Sequence, residues 1–366
     1  MYIHEFKAWP NFNWDDQLLA EKLGRVNYTM GMIMGQMSAA GFKQKEEAIL
    51  KTLTLDVTKS SAIEGELLNA EKVRSSIARR LGIEVAGMVP SDRQTDGVVE
   101  MMLDATQNFN LPLTAERLYG WHSSLFPSGR SGLQKIKVGD WRNDEIGPMQ
   151  VVSGSMGREK VHYQAPDAKL LPEEMAAFLE WFNNGQNLDP VLQAGIAHLW
   201  FVTIHPFDDG NGRITRAITD MQLARADRSP NRFYSMSAQI ERERNAYYDI
   251  VEYTQKGTLD ITEWLLWFLT CLGQAMDSTM DVLEKVSMRT DFWDKHRDTD
   301  LNARQKKMVD TLLDDFYGTL NVSKWAKITK SSTDTALRDI RDLMSKGILT
   351  QNEGGGRNTS YSLILN

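Results

Sequence analysis

Residues 205–216 read His-Pro-Phe-Asp-Asp-Gly-Asn-Gly-Arg-Ile-Thr-Arg and directly follow an apolar run, Ile196–Ile204. His205 stands where that run ends, placed to take a proton from an incoming hydroxyl. Asp209 is a hard oxygen ligand suited to Mg²⁺, which keeps several waters and adds phosphate oxygens. Gly210, Asn211 and Gly212 carry no bulky side chain, so their backbone N–H groups can line a concavity for an anion. A helix starting near Gly212 adds its positive end. Arg213 and Arg216 are three apart and share a helical face close to that end. A base, a metal ligand, an anion cradle and two guanidinium groups within twelve residues suit attack on a nucleotide phosphate.

Plainer readings of the same residues stand beside this one. Asp, Gly and Asn together make an ordinary turn. Asp208-Asp209-Gly210-Asn211-Gly212 begins like a calcium loop, but its twelfth position falls on Thr219 or Asp220 and the closing Glu is absent. His198, His205 and Asp209 offer transition-metal donors, although the two histidines are seven residues apart rather than i, i+4. No GxxxxGK[ST] loop occurs, which disfavours a nucleotide hydrolase of that kind.

Outward from this segment the chain reads as mainly helical. Apolar positions near a 3.6 period predict helices over 15–40, 44–59, 60–81, 94–109, 114–125, 172–184, 189–203, 212–226, 240–256 and 261–275. The methionines at 30–37 lie at helical spacing and read as core filling. Between Pro127 and Pro172 the pattern changes to Gly, Pro and short alternating runs. Met149–Ser153 and Lys160–Gln164 flank the turn signal Ser153–Gly157, an irregular hairpin inside a helical protein. Residues 276–300 are polar and read as a connecting helix plus linker. Beyond them, helices over 304–315, 322–328 and 333–346 precede two strand-like runs around Glu353–Arg357, a winged helix-turn-helix pattern. The expected domains are 1–100, 101–275 and 301–366, with the linker between the last two.

Composition narrows the function classes. The 366 residues exceed one ordinary core. Forty-two Lys+Arg against 49 Asp+Glu give a net charge of −7, which excludes a globally basic nucleic-acid coat but not a local basic face. The lone Cys271 excludes a disulfide framework and a cysteine zinc site. The longest apolar run, Trp264–Leu272, has nine residues and is too short to span a bilayer. MYIHEFKAWP at the start lacks the pattern of a signal peptide, so a cytoplasmic location is the expectation, with no membrane partner.

The 205–216 segment resembles the signature of Fic-domain proteins, HPFx[DE]GNGRxxR, with every specified position filled. The likeness extends over about 110–275 and implies a Fic helical core with a β-hairpin flap. The family is mainly AMP transferases, which move AMP from ATP to a Ser, Thr or Tyr hydroxyl of a protein and release pyrophosphate. By that resemblance His205 is the base, and Asp209 holds Mg²⁺ on the α- and β-phosphates. Gly210, Asn211 and Gly212 form the anion hole, and Arg213 and Arg216 hold the outer phosphates. The hairpin at 149–164 corresponds to the flap that pairs with an extended target, with Val152, Ser153 and Gly154 as contacts. Tyr247 and Gln255 correspond to adenine-side contacts, against core packing as the plain alternative for Tyr247 and Tyr248. Family members often carry Asn where Gln255 stands. Many relatives dimerise, so a homodimer is a further implied partner.

Ser60-Ser-Ala-Ile-Glu64-Gly65 is similar to the family's inhibitory motif, [ST]xxxE[GN]. It implies that Glu64, on a helix expected near 55–70, pairs with Arg216 and displaces the γ-phosphate, with Ser60 on the same face hydrogen-bonding nearby. Glu64 can also position a water for removal of AMP from a modified target. The stretch from Trp9 to Asp15 resembles a helical domain of unknown activity that precedes Fic domains in bacterial chains, over about 1–90. A different class of function rests on the C-terminal unit: a DNA-binding regulator with Thr335, Arg338 and Arg341 on the recognition helix, or a protein-docking module. Asp334, Asp339 and Asp342 on the same helix argue against DNA. Over 297–366, eleven Lys+Arg face nine Asp+Glu. A third option keeps the fold and transfers another nucleotide, phosphate or phosphocholine.

Overall fold

The computed structural model describes residues 1–366 apart from 40, 86, 146, 155–157, 159, 186–187, 314–315, 317–318, 353–358 and 366, and apart from the side chains of 43, 281–282, 284–287 and 290. The fold is mainly helical, and the described residues separate into two compact units, Met1–Thr279 and Met280–Asn366.

In the first unit, α1 (Asp16–Ala39) buries a stripe of Leu19, Val26, Ile33 and Met37. α2 (Phe42–Ile63) and α3 (Ala70–Leu81) divide the next stretch differently from the expected 44–59 and 60–81. The helix expected near 55–70 stops at Ile63. Gly65 takes φ +85°, a conformation that ends helices and that only Gly enters freely. α4 (Arg93–Gln107) and α5 (Ala115–Leu125) start at the N-caps Asp92 and Thr114, whose side chains accept from Thr95 N and Arg117 N. Two short antiparallel pairs follow, β1 (Arg130–Ser131) with β2 (Gln134–Lys135), and β3 (Gln150–Ser153) with β4 (Lys160–Gln164). The second pair is the hairpin read from sequence. Gln150 lies opposite Gln164 and Ser153 opposite Lys160, with a register shift between Val151 and Val152. Residues 155–157 of its turn lie outside the described residues.

α6 (Leu171–Asn184), α7 (Pro190–Ile204) and α8 (Asn211–Asp227) form the centre of this unit. α7 is apolar on every face, and 13 of its 15 residues are buried, as a helix without a polar stripe requires. Among the described residues, α8 packs along it more extensively than any other two elements pack. The single helix expected over 240–256 is two, α9 (Met236–Arg242) and α10 (Arg244–Gln255), parted at Glu243. α11 (Thr262–Lys295) runs past the stop expected near 275. Residues 276–295 contain neither Gly nor Pro, so nothing in that stretch breaks the helix.

In the second unit α12 (Ala303–Leu313), α13 (Val322–Thr329) and α14 (Thr333–Ser345) precede the antiparallel pair β5 (Leu349–Gln351) and β6 (Tyr361–Leu363). Their core includes Met308, Trp325, Ile340, Leu343 and Tyr361. The Gly-rich tip Glu353–Arg357 lies outside the described residues. Asp339, expected to repel phosphate, is buried and paired with Arg304 (Nε to Oδ2 2.7 Å), whereas Arg338 and Arg341 are exposed. Among the described residues no helix is long and apolar enough to cross a membrane.

Candidate active site

The loop between α7 and α8 holds the segment read first. His205 ends α7 in the left-handed conformation (φ 52°), its N–H donating to Phe201 O at 3.1 Å. Arg142, buried and far away in sequence, fixes this corner. Its Nε donates to the His205 carbonyl (2.8 Å), its N–H to the Pro206 carbonyl (2.9 Å) and its Nη2 to the Pro166 carbonyl (2.5 Å). The His205 ring places Nδ1 3.2 Å from Val202 O. A carbonyl only accepts, so Nδ1 carries the proton and Nε2 keeps its lone pair. Burial pushes the imidazole pKa down to about 4, so the ring is neutral near pH 7.

The loop is pinned from both sides. Asn211 Oδ1 accepts from Phe207 N (3.0 Å) and its Nδ2 donates to Phe207 O (2.7 Å). His122, buried on α5, stacks on Phe207 at 4.2 Å, donates from Nε2 to Asp209 O (3.1 Å) and accepts from Gly139 N at Nδ1 (3.2 Å). Burial lowers its pKa to about 4, so it serves as a neutral bridge. Gly210 has φ +81°, and a Cβ there would press on the Phe126 ring at 2.8 Å. It gives α8 no side-chain cap, so the first-turn amides of Asn211, Gly212 and Arg213 have no acceptor within the helix.

Asp209 accepts at Oδ1 from Gly210 N (2.5 Å) and at Oδ2 from the Ser131 hydroxyl. Among the described residues no group of three or more His, Cys, Asp or Glu can hold a metal. One half-buried carboxylate beside an amide cradle fits Mg²⁺ brought with a polyphosphate and does not fit a protein-caged ion. His198 is no ligand, since Thr219 Oγ1 and Tyr247 Oη sit 2.9 Å from its two ring nitrogens. Asp220, the calcium-loop candidate, is buried against Arg232 (2.5 Å).

Arg213 and Arg216 are each only 2% exposed, and each meets a carboxylate from the turn after α2. Arg216 Nη2 donates to Glu64 Oε1 (2.8 Å) and to Ser60 O (2.8 Å), and its Nε to Ser60 Oγ (2.8 Å). Arg213 Nη1 donates to Glu66 Oε2 at 2.7 Å, with its guanidinium 5.0 Å from the Phe126 ring. Glu64 lies so close to Gly212 that a Cβ there would collide with Oε1. Arg216 Nη1 and Arg213 Nε have no hydrogen-bond partner among the described residues. α2 is held to α8 through Arg232, which bonds Asp220 of α8 and reaches Asp56 of α2 at 3.4 Å, while Ser235 donates to Asp56 (2.5 Å).

The loop residues and the Ser60–Glu64 motif are thus brought together, and Tyr247 lies beside Arg216, whose charge acts on its hydroxyl. Tyr247 and Gln255 are buried, with Gln255 Nε2 3.3 Å from Thr203 Oγ1 and Tyr247 among Trp267, Tyr248 and His198. Tyr248 is the exposed tyrosine of the pair, and its hydroxyl donates to Ile63 O (3.2 Å). On the hairpin, Val152, Ser153 and Gly154 are exposed, while Tyr163 Oη donates to Thr203 O (2.8 Å) and so ties β4 to the end of α7. Sequence reasoning did not find His122, Ser131, Arg142 or Glu66. Only Glu66 carried a local signal, an acidic residue right after the Glu-Gly pair.

Residues 112–223 match the model of the Fic/DOC family, and residues 2–83 match a domain of unknown function, DUF4172. A curated protein named Protein adenylyltransferase Fic from Drosophila willistoni is 30% identical over 237 residues, 63% of this chain and 43% of that protein. The one from Drosophila yakuba is 31% identical over 120 residues, 31% of this chain and 23% of that protein. The chain therefore aligns with less than half the length of either. Among solved structures, a Fic family protein from Desulfovibrio desulfuricans G20 shares the fold at TM-score 0.52 and 18% identity, over 95% of this chain and 96% of that one. Fic-1 from C. elegans does so at TM-score 0.50 and 17% identity, over 74% and 75%. Residues 112–223 thus carry a Fic/DOC domain match, and the fold is that of the Fic-family structures.

Proposed function

We propose that this chain transfers AMP from ATP to a Ser, Thr or Tyr hydroxyl of a protein, itself or another, and that the turn after α2 restrains it. The carrying observation is two buried guanidinium groups, Arg213 and Arg216, at the amide-lined start of α8 beside a His205 whose Nε2 is free to accept. The relatives named as adenylyltransferases support the same reaction.

In this reading the target hydroxyl gives its proton to His205 Nε2 while its oxygen attacks the α-phosphorus. The bond from that phosphorus to the bridging oxygen breaks, and pyrophosphate leaves. The α8 amides and the two arginines offset charge on the phosphates, which is most of what such a transfer needs. Asp209 would hold Mg²⁺, which supplies neutralisation of the α- and β-phosphates. Val152, Ser153 and Gly154 present the exposed edge along which an extended target pairs. Glu64 on Arg216 removes the fork meant for the γ-phosphate. Incubation of wild type, Glu64→Gly and His205→Ala with ATP and Mg²⁺, followed by intact mass, tests this. Gain of one AMP on Glu64→Gly above wild type, lost with His205→Ala as a second change, is the expected result, and equal masses throughout reject it.

A second reading, DNA contact through α14, draws on the exposed Arg338 and Arg341 and on the inward pairing of Asp339. A salt-dependent gel shift of the full chain, weakened in Arg338→Ala/Arg341→Ala, tests it.

A further inference from the structure

The turn that ends α2 is built so that two carboxylates, not one, leave it toward α8. Gly65 N donates to Ala62 O (3.0 Å) and Glu66 N to Ser61 O (3.0 Å), the paired bonds of a Schellman cap with Gly65 at its left-handed position. This cap fixes the directions of Glu64 and Glu66 relative to each other. In most such caps the residue after the glycine packs an apolar side chain back on the helix. Here it is an acid, and it reaches Arg213 at 2.7 Å.

We infer that Glu66 is an intramolecular competitor for a phosphate group at Arg213, and so sets the chain's affinity for nucleotide separately from Glu64 at Arg216. The inference rests on the reading of this pocket as a polyphosphate site. The asymmetry of the pair supports it. Arg213 is 2% exposed and must have a counter-anion, whereas the Glu66 side chain is 34% exposed and can return to water. Among the described residues, Glu66 Oε2 meets Gln94 Nε2 at 3.5 Å besides Arg213. An incoming phosphate oxygen therefore replaces one anion by another at Arg213, while the displaced carboxylate is solvated rather than stranded. Glu64 is likewise 31% exposed against a 2% exposed Arg216, so the two plugs are separable in chemistry though they share one turn. Removing Glu66 leaves a buried cation without its anion, a state that any phosphate relieves.

The test is calorimetric binding of Mg²⁺–ATP to the full chain at fixed ionic strength, as wild type, Glu64→Gln, Glu66→Gln, the double variant and the control Glu71→Gln. Thermal unfolding of each confirms that it is folded. Glu66→Gln is expected to bind at least tenfold tighter than wild type, the double variant tighter than either single one, and Glu71→Gln unchanged. Glu66→Asp, which keeps the charge but shortens the reach, is expected to tighten binding too and serves if Glu66→Gln does not fold. Wild-type affinity in Glu66→Gln alongside tighter binding in Glu64→Gln overturns the inference and leaves the pocket standing. Equal tightening in Glu71→Gln and Glu66→Gln also overturns it, as a general charge effect. No binding by any variant, the double one included, rejects the pocket itself and the inference with it.

Discussion

Asn211 closes on the backbone of Phe207 at both ends, accepting from its N–H at 3.0 Å and donating to its carbonyl at 2.7 Å. The amide is thus a clamp across the loop that carries Asp208, Asp209 and Gly210. Asn211→Asp sets an acceptor against the Phe207 carbonyl, and both groups are buried. It is expected to cost about 2 kcal/mol of stability and to slow AMP transfer at least tenfold. Urea unfolding and transfer rates check the two effects separately.

Arg232 is buried between Asp220 and Asp56, and burial together with the Asp220 charge pushes the Asp56 carboxyl pKa up. Arg232→Met removes the cation shared by two buried acids. A loss of about 3–5 kcal/mol is expected, read as a lower urea midpoint. Adding Asp220→Asn should recover part of it, because one stranded charge goes as well.

His205 has its pKa depressed by burial to about 4, so its neutral, proton-accepting form persists well below pH 6.5. In a side-chain NMR titration its ring should stay neutral at pH 5. The kcat/KM of the Glu64→Gln/Glu66→Gln variant should fall with an apparent pKa near 4, since that ratio reports the free protein.

His122 is depressed to about 4 by the same cause. As pH falls from 6.5 to about 4, the unfolded chain takes up this proton and the folded one does not, so stability present at pH 7 is lost across that window. The loss approaches about 3 kcal/mol for this group. Urea unfolding of wild type and His122→Gln at pH 7 and pH 4.5 checks it, with the smaller drop expected in the variant.

Among the described residues Asp209 belongs to no group of three or more His, Cys, Asp or Glu that could hold a metal ion. Mg²⁺ alone is expected to bind the free protein too weakly for calorimetry at submillimolar levels, and to bind measurably once ATP is added to Glu64→Gln/Glu66→Gln. Chelation of Mg²⁺ should abolish transfer, and Asp209→Ala should raise the Mg²⁺ needed for half-maximal rate at least tenfold.

The core of the candidate site was legible because its chemistry is local. His205, Asp209, the glycines and the two arginines fall within twelve residues, so one loop and one helix start hold them whatever the rest of the chain does. The buried run before His205 needed no tertiary knowledge either, since a helix apolar on all faces has nowhere to lie but inside. Helix breaks inside apolar stretches carry weaker signals: α2 stops before Gly65 within a stretch of helical spacing, and Glu243 parts α9 from α10 with no Gly or Pro beside it.

What sequence alone settled, then, was which residues gather at the start of α8, because contiguous residues at helical spacing keep their neighbours. What the tertiary structure decided was how that site is held and occupied. Arg142 on the His205 corner, His122 under Asp209, Arg232 between α2 and α8, and Glu66 against Arg213 all come from segments distant in the chain. No periodicity links such pairs. Each forms because folding buries a charge or polar group that must then find a partner from whichever element packs against it.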